Sequence, residues 1–474
     1  MSFKNKIVKG ISWSAAERFL NQFFQIGMTI ILARILSPSD FGIIAIVLVF
    51  TSISQALIDS GLSNALIQKS RRDQTDLSTV FIFNIIFGLL IYVLIFSLAP
   101  WLAKLFNVPE LESLLRILGL SPFIQGLSII QITILTIKVD FKVIAKASVT
   151  SILISSVIAL YLAFLGAGFW AIATQLLLHN TINTILLWIF VNWKPSLVFS
   201  WRSFKGLFSF GWKLLAAGQL HSIYVNSYNL VIGLRNSSAD IGYFNQSSTI
   251  SRFPSIGFMA IISRAVFPIQ CELQDDKIKL FDSFKNYLQL SHFLIFPLML
   301  AMAALSEPFI SLVLTDKWLP MKDYFSTLCI AYCLTPIMVT NNQMLLVNGR
   351  SDLFLIAEII KKIFGSIILL CTFSYGIKVI CIGFVIYNIF DSALAIYYSR
   401  KTTGAGYTIQ IKWIYKSTIS AILMLLAIIF STSLVNGDLL KIFIGTIFGI
   451  STYLCFCHIF KTKLLGKLFP FGNV

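Results

Sequence analysis

Charged residues are scarce in this chain. Asp, Glu, Lys and Arg make up 12% of its 474 residues, about half the share found in soluble domains. Acidic residues are the rarer kind, 20 against 37 Lys and Arg. The four histidines, His179, His221, His292 and His458, are scattered and form no catalytic pair. The seven cysteines fall in apolar runs. Neither Cys455-x-Cys457 nor Cys329/Cys333 has a His or carboxylate at ligand spacing, so both read as small apolar packing groups rather than a metal centre. No polar stretch is long enough to form a soluble domain.

Apolar residues fill the chain instead. The hydrophobic share is 57% and the mean hydropathy is +0.84. An aqueous fold cannot hide that much apolar surface, so lipid is the solvent. A membrane helix needs about 20 apolar residues. Runs punctuated by Pro, Gly and charge predict fourteen helices, near 11–35, 42–66, 79–104, 113–137, 145–165, 168–192, 207–234, 241–269, 286–307, 323–347, 352–374, 377–399, 413–434 and 439–460. The short basic start "MSFKNKIVKG" leads into a first run without a small-residue cleavage site. It reads as a retained first helix rather than a signal peptide.

Lys and Arg orient these helices. With both termini in the cytoplasm, the inner loops carry about three times as many as the outer ones, the positive-inside pattern. The net charge of +17 is therefore mostly topology. It suits a basic inner face on anionic membrane lipids and does not indicate nucleic-acid binding.

A corner is repeated. Helix 1 ends in "ILARILSPSDFG" and helix 7 in "VIGLRNSSADIG", so Asp40-Phe41-Gly42 and Asp240-Ile241-Gly242 lie 200 residues apart. Chance likeness of two outer turns is one reading. The other is an internal repeat of two six-helix lobes, 1–195 and 196–405, with 406–474 adding two further helices and a basic tail. Repeat-built transporters place their site between such halves.

Polar residues follow helix periodicity. On helix 1, Ser14, Arg18, Asn21, Gln22, Gln25 and Thr29 share one face, opposite Phe19, Phe23, Ile26 and Ile30. Arg18, next to Glu17, either snorkels to the inner interface or lines a wet cavity. Only the second reading explains the amides deeper in. On helix 2, Ser52, Gln55 and Asp59 form a stripe. Asp59 lies about as deep as Arg18, roughly 10 Å from the inner end, so a Glu17–Arg18–Asp59 cluster is expected, structural or functional. Helix 7 carries Lys213, Gln219, His221, Ser222, Tyr224, Asn226, Tyr228 and Asn229. Arg252 falls near the middle of helix 8, just before Pro254; a mid-membrane Arg is a functional candidate. Arg264 reads as a snorkelling side chain. Glu358 and Lys362 read as a local i,i+4 pair, and Asp391 as a lone mid-depth carboxylate suited to ion coupling. Together the stripes describe an amide- and aromatic-lined cavity with a cationic bias. Amides and rings suit sugars, and guanidinium forks suit phosphate.

The ordered segments "ISWSAAERFLNQFFQ", "ILARILSPSDFG", "DSGLSNALIQ", "DLSTVFIFN", "GAGFWAIATQ", "SFGWKL", "IGYFN", "FPIQCELQDD", "KWLP" and "GRSDLFLIAEIIKK" resemble the WzxC-like polysaccharide transporter family. That family lies within the multidrug/oligosaccharidyl-lipid/polysaccharide exporter superfamily. The resemblance runs from residue 3 to about residue 400. It implies an all-α polytopic fold, two six-helix lobes in a V around a central cationic cavity, in the bacterial cytoplasmic (inner) membrane. It implies a flippase, not an enzyme, that moves undecaprenyl-pyrophosphate-linked oligosaccharide outward by alternating access. Arg18 and Arg252 would then attract the pyrophosphate. A proton or sodium gradient would couple through Glu17, Asp59 or Asp391, with no other cofactor. Polymerase and chain-length proteins of glycan assembly are the implied partners.

Rivals remain at this stage. A drug/cation antiporter of the same superfamily should have an acidic cavity, whereas these stripes lean basic. A polytopic polymerase, ligase or glycosyltransferase should carry a sizeable outer loop with catalytic side chains. The longest candidate, 308–322, holds only Asp316 and Lys317, and Asp275-Asp276 reads as a solvated inner turn. A pure scaffold leaves the polar stripes unexplained.

Overall fold

The computed structural model describes residues 20–59, 61–69 and 72–460, and every regular element among them is helical. In chain order we label α1 (20–35), α2 (Pro38–Gln68), α3 (Gln74–Leu105), α4 (Glu110–Ile137), α5 (Phe141–Phe164), α6 (Phe169–Phe190), α7 (Trp201–Gly233), α8 (Ser238–Glu272), α9 (Lys277–Ala304), α10 (Asp316–Val347), α11 (Ser351–Thr372), α12 (Ile377–Thr403), α13 (Tyr407–Ser433) and α14 (Asp438–Ile459). Among the described residues, 11 of these are long and apolar enough to cross a membrane. The other three, α1, α7 and α11, fall where sequence periodicity expects helices, but length and apolarity alone do not count them as spans. The chain is a multi-pass membrane protein.

Several helices begin earlier than apolarity predicts. Polar residues that read as loop are in fact caps. Asp73 and Asp76 form a capping box at the start of α3, with Asp76 N donating to Asp73 Oδ1 at 2.7 Å and Asp73 N donating to Asp76 Oδ2 at 3.1 Å. Ser200 accepts from Ser203 N at the start of α7, and Asp276 from Lys279 N at the start of α9. Each cap satisfies a backbone donor that the first turn leaves open. Between α5 and α6, Gly166 and Gly168 hold φ of +79° and +56°, which glycine adopts readily.

The stretch 308–322 is not a loop. It forms a short helix, Ser306–Leu314, and a 3₁₀ turn, Asp316–Met321. Trp318 and Met321 are fully buried. Ser311 Oγ donates to Asp316 Oδ1 at 2.6 Å, and Lys322 pairs with Glu307 at 2.8 Å. Burial of Trp318 turns an expected outer loop into packed structure.

By packing, the chain divides into two compact units between Gly242 and Tyr243. The lobes drawn at 195/196 follow the repeated corner; this division follows packing. In the first unit, α5 lies against α6 and α7 runs along α2. The buried residues of α5 include Ala147, Ser151, Ser155, Ala159 and Ala163, one every four positions. Such a strip of small side chains lets a neighbouring helix approach closely in lipid. In the second unit α13 pairs with α14, and α12 packs on α10 and α11. Gly445 and Gly449 of α14 face Thr432 and Ile428 of α13, where a Cβ would come within 3.1 Å and 2.8 Å.

Candidate functional site

In the first unit, the polar face of α1 is split between packing and exposure. Asn21 Nδ2 donates to Ser148 Oγ of α5 at 2.8 Å. Gln22 and Gln25 are exposed, and Thr29 Oγ1 bonds back to Gln25 O at 2.7 Å. Glu17, Arg18 and the side chain of Asp59 lie outside the described residues, as do the side chains of Lys213 and His221.

Gln55 is half-buried on α2, the helix along which α7 runs. On α7, Tyr228 is buried, and Tyr224 and Asn229 are half-buried. Glycines allow this approach. A Cβ on Gly211 would fall 3.1 Å from the carbonyl carbon of Gly61, itself at φ +66°.

Arg252 belongs to the second unit. Helix α8 runs through Pro254 without ending. Ser251 and Ser255, one turn apart, are fully buried, and Ser255 Oγ donates to Tyr332 O of α10 at 3.0 Å. That face is held against α10, so Arg252, one residue along, is exposed. No ion pair to Arg252 exists among the described residues. Arg264 is exposed as well.

Asp391 is not alone. Its carboxylate lies 3.5 Å from Lys361 Nζ, and Lys361 also pairs closely with Glu358. The Asp391 side chain is 5% exposed and that of Lys361 12%. Lys362 reaches Glu358 only at 3.9 Å. The sequence reading paired Glu358 with Lys362 because both i,i+3 and i,i+4 neighbours meet on a helix; the buried neighbour, Lys361, bridges to α12 instead. A buried charge needs such a partner.

One polar hub was missed in the sequence. A cavity of about 660 Å³ is lined by the end of α2 and the starts of α3 and α7, including Lys69, Asp73, Asp76, Ser200, Arg202 and Ser203. Asp76, 2% exposed, pairs with Lys69 at 2.5 Å and accepts from Ser203 Oγ. The strand of chain before α7 is stapled to the same end of α3. Trp193 Nε1 donates to Gln74 Oε1 at 2.8 Å, and Ser196 N to Ser78 Oγ at 3.0 Å. The signal available was Asp-x-x-Asp and Ser-x-x-Ser spacing ahead of two apolar runs.

Residues 31–323 match the family described as polysaccharide biosynthesis protein. The chain is 26% identical to the teichuronic acid biosynthesis protein TuaB of Bacillus subtilis, over 74% of this chain and 73% of that one. It is 24% identical to the lipopolysaccharide biosynthesis protein WzxC of Escherichia coli, over 86% and 84%. Among solved structures, the lipid II flippase MurJ in an inward closed conformation superposes with TM-score 0.79 at 17% identity, covering 96% of this chain and all of that one. An inward-facing multidrug-resistance MATE transporter superposes with TM-score 0.61 at 18% identity, over 81% and 95%. The fold is thus that of these polytopic transporters, and the chain belongs to the polysaccharide biosynthesis protein family.

Proposed function

We propose that this protein is a flippase for a lipid-linked oligosaccharide that feeds surface-polysaccharide assembly. Its substrate is an undecaprenyl-pyrophosphate-linked repeat unit carried across the bacterial cytoplasmic membrane by alternating access, with both termini cytoplasmic. The observation that carries this reading is the run of relatives sharing most of their length with this chain and named for surface-glycan biosynthesis. The fold favours a transport reading over enzyme chemistry, since it matches a flippase over 96% of this chain and a MATE transporter over 81%.

The chemistry at Arg252 supports an anionic cargo. The exposed guanidinium of Arg252 offers a planar fork for a pyrophosphate, while the lipid tail stays in the bilayer. Arg18 would share this role. The amides Asn21, Gln22, Gln25, Gln55 and Asn229, with Tyr224 and Tyr228, supply hydrogen bonds and ring faces for sugar. Coupling to a proton or sodium gradient would run through Glu17, Asp59 or Asp391. A drug antiporter would share the fold but would have no use for a free cation at Arg252.

The test is made in a deletion strain whose lipid-linked oligosaccharides are assigned to a leaflet. Completed units trapped on the cytoplasmic face support flipping. Units found outside but unpolymerised indicate a polymerase or ligase, and a normal pool indicates the antiporter.

A further inference from the structure

The cavity at the end of α2 and the starts of α3 and α7 holds opposite charges that do not meet. Four charged side chains line its volume of about 660 Å³, which falls within the range of small-ligand sites, roughly 300–1,000 Å³. Two of them satisfy each other. Lys69 closes on the buried Asp76 at 2.5 Å, and Ser203 Oγ donates to the same carboxylate. The other two are left over. Asp73 is exposed, and its carboxylate accepts from Asp76 N at 2.7 Å. Arg202 is exposed as well. Among the described residues, neither Asp73 nor Arg202 enters an ion pair. The neighbouring Arg72 does not pair with Asp73, since its guanidinium donates to Leu66 O at 3.1 Å. The helix starts are not themselves the site, because Asp73 and Ser200 cap their first turns. What the cavity offers a ligand is one carboxylate, one guanidinium, and the hydroxyls of Thr75 and Ser200.

One flank of the cavity is apolar. On α7, Arg202, Ser203, Gly206 and Leu207 line the cavity, and helix periodicity puts Trp201, Phe204 and Phe208 on the adjoining face. Their rings form a row. Phe204 lies 5.3 Å from Trp201, 5.3 Å from Phe208 and 4.9 Å from Phe83 of α3. Just before α7, Leu197, Val198 and Phe199 are exposed. Lys205 Nζ sits 5.8 Å over the Trp201 ring. Exposed aromatics beside cations mark the zone where lipid headgroups meet their tails.

We propose that this cavity binds the headgroup of a zwitterionic phospholipid, one that carries a primary ammonium and a phosphate, with its acyl chains along the aromatic flank. Arg202 takes the phosphate with its planar fork, and Asp73 accepts from the ammonium. Charge selects among headgroups. A purely anionic headgroup leaves Asp73 facing like charge, and a trimethylammonium headgroup has no N–H to donate. The bound lipid joins the start of α7 to α2 and α3, beside the Lys69–Asp76–Ser203 contacts. It is not the transported cargo, and the site does not depend on the flippase reading.

The test uses the full chain purified in detergent and offered equal amounts of phosphatidylethanolamine, phosphatidylglycerol and phosphatidylcholine. Native mass spectrometry counts the lipid that stays bound. Phosphatidylethanolamine should be retained about tenfold over the other two, as expected for one additional charge-assisted hydrogen bond. Asp73→Asn keeps the cap, since Asn serves at that position as well as Asp does, and should remove the preference over phosphatidylcholine. Arg202→Gln should lower phosphatidylethanolamine retention by about tenfold. Equal retention of the three lipids, a preference for phosphatidylglycerol, or an unchanged preference in Asp73→Asn would overturn the proposal. Soluble phosphoethanolamine should compete poorly. Displacement by it as effective as by the whole phospholipid would overturn the lipid as the occupant.

Discussion

Arg252 on α8 and Asp391 on α12, two intramembrane charges, meet different fates. Arg252 is exposed, whereas Ser255 on the adjoining face of α8 is held against α10. Replacing it by Ala should abolish export while leaving the protein in the membrane at native abundance; Lys, which keeps charge but loses the planar fork, should restore only part. Full export by the Ala variant would remove Arg252 from the site. Asp391, by contrast, shares Lys361 with Glu358 inside the packing of α11 and α12. Lys361→Ala leaves a buried carboxylate unpaired, and the loss of stability should be about 3–5 kcal/mol. The double variant Lys361→Leu/Asp391→Leu should recover most of it. A thermal-stability series on purified protein reads both. Near-native stability of the single variant would mean that Asp391 is buried neutral.

At the scale of elements, caps decide where these helices begin, and two equivalent caps differ in their surroundings. Asp40 serves both its own corner and Phe169 N of α6, and a Cβ on Gly168 would come within 3.1 Å of its carboxylate. Asp240 repeats only the capping box among its described hydrogen bonds. Loss of a cap costs about 1 kcal/mol, and an orphaned buried donor about 1–3 kcal/mol more. Asp40→Ala should therefore lower the melting temperature further than Asp240→Ala; equal shifts would show that the Phe169 contact contributes nothing. Small residues govern the next step, packing. The four-residue strip on α5 and the glycines of α14 bring helices together where lipid removes any hydrophobic drive between them.

For the molecule as a whole, cation placement sets orientation. On the proposed topology both termini share the cation-rich side, so reporters fused after Met1 and before Val474 should respond to the same compartment, the cytoplasm. Opposite responses would require an odd number of spans.

Composition and periodicity were enough to determine an all-helical membrane chain and the approximate place of its described helices. These follow from local rules: apolar length, a 3.6-residue repeat and charge asymmetry act on neighbouring residues. The sequence also displayed the Asp-x-Gly corner twice, 200 residues apart. Only the tertiary structure could decide who partners whom. Lys361 rather than Lys362 closes on Asp391, Asn21 spends its donor on Ser148, and residues around Trp318 pack instead of looping. It also brought Gly42 and Gly242 into contact. Such pairings depend on which helix faces meet, and that is set by the fit of small side chains and buried charges across the bundle rather than by any spacing along the chain.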